Sequence, residues 1–180
     1  LTINQIAAIT SADSAVFTIG TSNSFTVTVT GSPTPTLSES GLLPSGIAFS
    51  SSTRSLTGTP AAGTGGSYPI TFTAHNNAGA DAKQNFVLII GQTAAVTSSN
   101  TVTFGVGALN SFTVTATGFP APTLSETGTL ASGVTFNAST GILSGTPANG
   151  TAGNYSIVFS AHNGIGADGT QNFTLTVNQA

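Results

Sequence analysis

The feature that most constrains this chain is an internal repeat, because shifting the sequence by 87 residues aligns it with itself without a gap. More than half of the aligned positions are identical, and ten of the eleven phenylalanines form matched pairs. Such a repeat predicts one small fold used twice rather than one larger domain. We therefore predict a first repeat at residues 6–92 and a second at residues 93–179.

The first five residues fit neither repeat and instead match the end of both. Leu1–Gln5 (Leu-Thr-Ile-Asn-Gln) is similar to Leu88–Gln92 and to Leu175–Gln179. We therefore expect residues 1–5 to be the remnant of the last strand of a preceding repeat, in a parent protein that carries further copies.

Apolar residues alternate with threonine and serine at a period of two, the pattern of half-buried strands. Turn residues separate these segments, and no window indicates an amphipathic helix. This predicts an all-β chain of two tandem Ig-like or cadherin-like antiparallel β-sandwiches with Greek-key connections and about seven strands each. The strands expected in the first repeat lie near residues 15–19, 24–30, 35–40, 47–49, 55–57, 67–75 and 84–90. Its expected core is Phe17, Phe25, Val27, Val29, Leu37, Phe49, Leu56, Tyr68, Ile70, Phe72, Ala74, Phe86, Leu88 and Ile90.

Composition excludes several classes of function. Only 4% of the residues are charged, the net charge is −3, and two cationic side chains cannot neutralise a nucleic-acid backbone. The absence of cysteine rules out disulfides and zinc–thiolate sites. No apolar run is long enough for a membrane-spanning helix, so we expect no membrane insertion. We also expect the chain to be a monomer.

Three segments of the first repeat resemble a known family. They are residues 43–49 (Leu-Pro-Ser-Gly-Ile-Ala-Phe), 55–60 (Ser-Leu-Thr-Gly-Thr-Pro) and 66–76 (Gly-Ser-Tyr-Pro-Ile-Thr-Phe-Thr-Ala-His-Asn). They are similar to the bacterial "Putative Ig domain" repeats, which are related to the cadherin-like domains of dystroglycan type. The second repeat keeps the pattern. Two departures occur: Ala131 replaces the usual proline, and Arg54 stands where the second repeat has the turn glycine Gly141.

The resemblance implies a large secreted or surface-anchored bacterial protein in which such domains act as spacers, adhesive modules or appendages of exported enzymes. We therefore expect a non-catalytic structural spacer of an adhesin-like extracellular protein, whose signal and anchor lie outside this sequence. Its expected partners are the neighbouring repeats. The alternative is a binding module for a surface carbohydrate or a protein ligand, including an accessory domain of an exported enzyme.

Few side chains could carry chemistry. Each repeat offers one histidine, one strand glutamate and one loop aspartate, and we expect no catalytic residues because no nucleophile accompanies them. His75 and Asp81 lie six residues apart across a turn, which allows them to pair at the mouth of a hairpin.

Calcium is the one cofactor with candidate ligands, namely Asp81 and Asp168 with Asn76 and Asn163. Calcium requires six to eight oxygen ligands, several of them carboxylates. One aspartate per repeat does not meet that requirement, so we expect no cofactor and interpret the asparagines as turn residues.

Two further possibilities remain open at this stage. Gln84 and Gln171 recur at the start of the last strand and could form an ester cross-link with threonine, although a solvated strand-edge glutamine is the simpler interpretation. Lys83 has no counterpart in the second repeat, which argues against a lysine isopeptide there. Phe119, the only unpaired phenylalanine, is the candidate contact for a ligand or partner.

Overall fold

The computed structural model of the chain describes residues 4–179 and divides it into two compact units, with the division between Gln92 and Thr93. Both units are built from β-strands, and the described residues contain no helix. Each unit is a two-layered sandwich, as the period-two alternation predicts. Residues 1–3 of the predicted remnant lie outside the described part of the chain, and Gln5 begins the first strand of the first unit.

The first unit contains strands β1 to β8 and most of β9. Their bounds are β1 Gln5–Ile9, β2 Ser14–Thr18, β3 Asn23–Thr26, β4 Val29–Ser32, β5 Thr36–Gly41, β6 Ile47–Ser50, β7 Ser55–Gly58, β8 Gly66–His75 and β9 Ala82–Val96. The second unit takes the residues of β9 after Gln92 and continues with β10 Thr101–Gly105, β11 Asn110–Thr113, β12 Ala116–Phe119, β13 Thr123–Gly128, β14 Val134–Asn137, β15 Ile142–Gly145, β16 Gly153–His162 and β17 Gly169–Asn178.

The two layers have the same strand order in both units. In the first unit, one layer has the order β3-β7-β6, and the other places β9 between β2 and β8 with β5 at the outer edge of β8. Strand β2 is parallel to β9, and every other pairing of the first unit is antiparallel. The second unit repeats this arrangement as β11-β15-β14 and β10-β17-β16-β13, with β10 parallel to β17.

Four phenylalanines connect the two layers of the first unit. Phe25 and Phe49 lie on β3 and β6 of one layer, while Phe72 and Phe86 lie on β8 and β9 of the other. The ring centroids are 4.9 Å apart for Phe25–Phe86, 5.2 Å for Phe72–Phe86 and 5.5 Å for Phe49–Phe72. These distances suit tilted and edge-to-face aromatic contacts. The second unit repeats this phenylalanine cluster with Phe112, Phe136, Phe159 and Phe173.

The core agrees closely with the sequence prediction. Most predicted positions are buried, and Phe25, Val29, Phe49 and Tyr68 are partly buried and pack against the others. The prediction missed the buried residues Ala7 and Ile47.

The strand assignment needed three corrections. The sequence pattern assigns residues 1–5 to a remnant strand, but it does not predict that strand β1 continues to Ile9. The strand predicted at 24–30 is two strands, separated at Val27 and Thr28, and the second of them pairs with β1. The last strand does not end at residue 90, because β9 continues to Val96 and pairs with β12 after the division. Pairing between distant segments causes all three differences, and local alternation does not reveal it.

The glycine of the recurring Gly-Thr-Pro motif has a steric role. Gly58 has φ +139°, and a Cβ atom there would overlap the carbonyl oxygen of Gly46. Gly145 and Gly133 make the same close approach in the second unit. Only glycine allows the backbones to come this near, which explains why the motif stands in both repeats.

We predict that Phe86→Ala destabilises the first unit by about 3–5 kcal/mol, because it removes a fully buried ring and leaves a cavity between the layers. Amide NMR signals of both units, followed through a urea titration of the whole chain, measure this loss unit by unit. Phe173→Ala is the matched control and should destabilise the second unit instead. A loss of less than about 1 kcal/mol for Phe86→Ala would contradict a core held by the phenylalanine cluster.

Candidate functional site

The strongest grouping of titratable side chains lies at the hairpin between the last two long strands. His75 ends β8, and Asp81 lies directly before β9, so the turn brings them face to face. Nδ1 of His75 is 2.5 Å from Oδ1 of Asp81, and Nδ1 of His162 is 2.6 Å from Oδ1 of Asp168. The pairing that the six-residue spacing predicts is therefore present in both units.

The two histidines differ in what faces the other ring nitrogen. Nε2 of His75 is 2.7 Å from Oδ1 of Asn77, a residue that is replaced by Gly164 in the second repeat. When both ring nitrogens of His75 are protonated, each donates to an oxygen. The hydrogen bond to Asp81 raises the pKa of His75 most, followed by the hydrogen bond to Asn77 and the charge of Asp81.

The asparagine after each histidine holds loops together. Asn76 is buried, and its Nδ2 donates to the carbonyl oxygens of Gln5 and Pro33 at 2.7 and 2.9 Å. Its Oδ1 accepts from the backbone N–H of Ala78. In the second unit, Asn163 donates to Pro120 and accepts from Ile165 in the same way.

These contacts show what each of the four candidate calcium ligands binds in the structure. Asp81 and Asp168 are paired with histidines, whereas Asn76 and Asn163 use their amides on the backbone. Among residues 4–179, no three histidine, aspartate or glutamate side chains come together as a set that could hold a metal ion.

The two glutamines considered for a cross-link clamp the first segment of each repeat. Nε2 of Gln84 donates to the carbonyl oxygen of Ser11 at 2.9 Å, and Gln171 donates to Ser98 at 2.8 Å. The Oε1 atoms of both glutamines and the hydroxyls of both serines are buried without a hydrogen-bond partner in the described structure. The glutamines are therefore half-buried, and each holds the first segment of its repeat by a hydrogen bond. Nothing in the sequence pattern identifies a serine 73 residues away as the partner.

Tyr68 and Tyr155 form tyrosine corners. Their hydroxyls donate to the carbonyl oxygens of Thr64 and Thr151, four residues upstream, at 2.9 and 2.8 Å. A hydroxyl that bonds back to the backbone just before this strand is typical of Ig-like sandwiches.

Phe119, the candidate ligand contact, is half-buried and ends strand β12. A cis peptide bond joins it to Pro120, and Ser32–Pro33 is cis at the matching position.

A glutamate points inward at one edge of each sandwich. Glu39 lies on the edge strand β5, opposite Phe72 of β8, and shares the inner face with Leu37. Its Oε1 atom is buried and has no hydrogen-bond partner in residues 4–179, and Glu126 repeats this arrangement on β13. Burial raises the pKa of both carboxyl groups. Sequence reasoning identified them only as strand glutamates.

The described residues hold no helix that is long and apolar enough to cross a membrane.

Two stacked sheets, tyrosine corners and the parallel pairing of an early strand with the last strand define an Ig-like sandwich, present here twice. A family model described as "Putative Ig domain" matches residues 5–91 and again residues 92–178. The chain belongs to this family, as the resemblance in the Gly-Thr-Pro segments indicated. A comparison with curated proteins found no match.

Solved structures of tandem Ig domains share the fold. Sidekick-1 immunoglobulin domains 1–4 match 97% of this chain at 18% identity and a TM-score of 0.67, and this chain covers 49% of theirs. The titin Ig tandem A164–A165 matches 99% of this chain and is itself fully covered, at 16% identity and a TM-score of 0.52. Extracellular domains 3–5 of Drosophila OTK match 96% of this chain at 14% identity and a TM-score of 0.63, with 62% of that chain covered. This chain thus spans about half of the Sidekick-1 structure, and the likeness at these identities is one of fold.

We predict that replacing both edge glutamates, Glu39→Gln with Glu126→Gln, flattens the pH dependence of stability. Because burial raises their folded-state pKa, each carboxyl group contributes stability that is complete below the ordinary pKa of 4.5 and is lost as the pH rises through the folded-state value. Urea midpoints of the wild type should therefore fall from pH 4 towards neutrality, and those of the double variant should fall less. Equal slopes for the two proteins would contradict an unpaired, partly buried carboxylate.

We predict that Asn77→Gly lowers the pKa of His75, because the variant removes the oxygen that accepts from Nε2. Asp81→Asn should lower this pKa further, since it removes the largest of the three contributions. The chemical shifts of the imidazole protons in an NMR pH titration report the value directly. An unchanged midpoint in Asn77→Gly would exclude the Asn77 hydrogen bond.

Proposed function

We propose that this chain is a non-catalytic, load-bearing spacer from an array of Ig-like repeats in a large bacterial secreted or cell-surface protein of the adhesin type. Its role is to hold other parts of that protein apart under tension. Its partners are the neighbouring repeats of the same chain.

The observation that carries this proposal is the parallel pairing of an early strand with the last strand in each unit. Strand β2 runs parallel to β9 from Ser14↔Val87 to Thr18↔Gly91, and β10 runs parallel to β17 over five residue pairs. Force applied at the two ends of a unit pulls these strands along their length in opposite directions. The interstrand hydrogen bonds are then loaded together in shear and do not open one at a time.

The side-chain hydrogen bonds that hold the loops and termini of each unit support the same proposal. The recurring histidine–aspartate pairs, glutamines and tyrosines bond within their own unit, and matching residues make the same bonds in both. What the repeats share is therefore a framework that secures loops and termini. The chain also contains only two lysine or arginine residues, so it offers few sites to trypsin-like proteases.

Single-molecule stretching of the whole chain tests the proposal. Each unit of 87 residues should unfold in one step that releases roughly 300 Å of chain, at about 3.3–3.6 Å per residue. Val87→Pro should lower the unfolding force of the first unit only. It removes the N–H that donates to the carbonyl oxygen of Asp13 at 2.9 Å, a bond to the segment that enters β2.

Matched variants separate the effect of losing the backbone hydrogen bond from the effect of losing the side chain. Val87→Ala keeps the N–H and should leave the force nearly unchanged, because Val87 is on the exposed face. Thr174→Pro removes the equivalent bond to Asn100 and should weaken the second unit instead. A low wild-type force that neither proline variant alters, with both variants folded by NMR, would refute the load-bearing role.

A further inference from the structure

A cleft of about 290 Å³ opens in the first unit between the start of β5 and the turn that joins β6 to β7. Pro35 and Leu37 are buried and form its apolar floor. Four polar residues complete the lining, namely Thr36, Ser51, Ser52 and Arg54. Its volume lies at the small end of ligand pockets, which favours one ring-sized group.

Arg54 is the only arginine of the chain and has donors to spare. Arg54 is half-buried as a residue, and one Nη2–H donates to the carbonyl oxygen of Pro35 at 3.2 Å. A guanidinium carries five N–H donors, and Arg54 forms no ion pair within residues 4–179. Carboxylate and phosphate groups are the acceptors that a guanidinium with unpaired donors binds most strongly, often through two parallel hydrogen bonds.

The backbone at Arg54 gives a second, independent indication. Arg54 has φ +55°, a left-handed conformation that is costly for a residue with a side chain. Gly141 occupies the matching position of the second repeat with φ +70°. The first repeat therefore keeps an arginine where the same turn accepts glycine without strain, and such strain is concentrated at functional positions.

We propose that this cleft binds one carboxylate-bearing sugar residue, a site that goes beyond the proposed spacer function. The Arg54 guanidinium pairs with the carboxylate, since its planar fork matches that group. The hydroxyls of Ser51 and Ser52 bond to ring hydroxyls, and the apolar face of the sugar lies over Pro35 and Leu37. The mixed apolar and hydroxyl lining distinguishes this site from one for a bare anion.

The second repeat is a natural control within the same molecule. It retains Pro122, Thr123, Leu124 and Ser139 at the matching positions, whereas Ala138 replaces Ser51 and Gly141 replaces Arg54. It therefore offers the same turn and floor without the guanidinium, and it should not bind.

An NMR titration of the isotope-labelled chain with glucuronate tests the proposal, with glucose and acetate as separate controls. We expect saturable shifts at the amides of Thr36, Ser51 and Ser52 and at Nε of Arg54. Thr123 and Ser139 should not shift. Arg54→Gly should weaken binding at least about tenfold, as loss of a charge-assisted hydrogen bond predicts. Arg54→Lys keeps the charge without the fork and should bind more weakly than the wild type.

Arg54→Gly is expected to fold, because the second repeat carries glycine at this turn. Its urea midpoint should stay near that of the wild type, since the relieved backbone strain offsets the lost bond to Pro35. Three results would overturn the proposal: no saturable shift with glucuronate, equal binding by Arg54→Gly, or binding of glucose or acetate as tight as that of glucuronate. None of them bears on the stretching experiment, so the two proposals fail separately.

Discussion

The contact between the two layers through the phenylalanine cluster is the interaction on which each unit depends. Antibody domains join their layers with a disulfide packed against a tryptophan, and this chain has neither cysteine nor tryptophan. Four rings per unit take that role, two from each layer, and their burial must offset the conformational entropy that folding removes. A core without cross-links tolerates little loss of volume, and most inward positions of the long strands hold large apolar residues.

This dependence on apolar burial determines how polar side chains are used. With few charges available, each unit fixes its loops with neutral amides and hydroxyls: Asn76 joins three segments, Gln84 holds Ser11, and Tyr68 closes its own turn. Hydrogen bonds of this kind do not weaken with salt as surface ion pairs do. The result is a framework whose stability owes little to charge, apart from the hairpin histidines and the edge glutamates.

The sequence predicted those features that depend on neighbouring residues. Alternation identified β8 and most of the core, and the six-residue spacing identified the pairing of His75 with Asp81. It could not predict strand β1, the interruption after β3 or the partner of Gln84, because each depends on a segment far away in the chain. Arg54 was visible as a departure from glycine, yet its cleft appears only when β5 packs beside the turn of β6 and β7. Distant pairings thus set the limit of prediction.

The inward glutamates show how an edge strand can be protected in a chain with so little charge. Strands β5 and β13 end their sheets, and a neutral, regular edge invites pairing with another molecule. Glu39 and Glu126 each place a carboxylate among apolar neighbours, where burial raises the pKa and ionisation at neutral pH lowers stability. An intruding strand would bury that carboxylate further and would have to bear the additional desolvation. The carboxylate thus lowers the stability of the folded monomer slightly, and it disfavours edge-to-edge association more. Such association is what an array of similar domains must avoid.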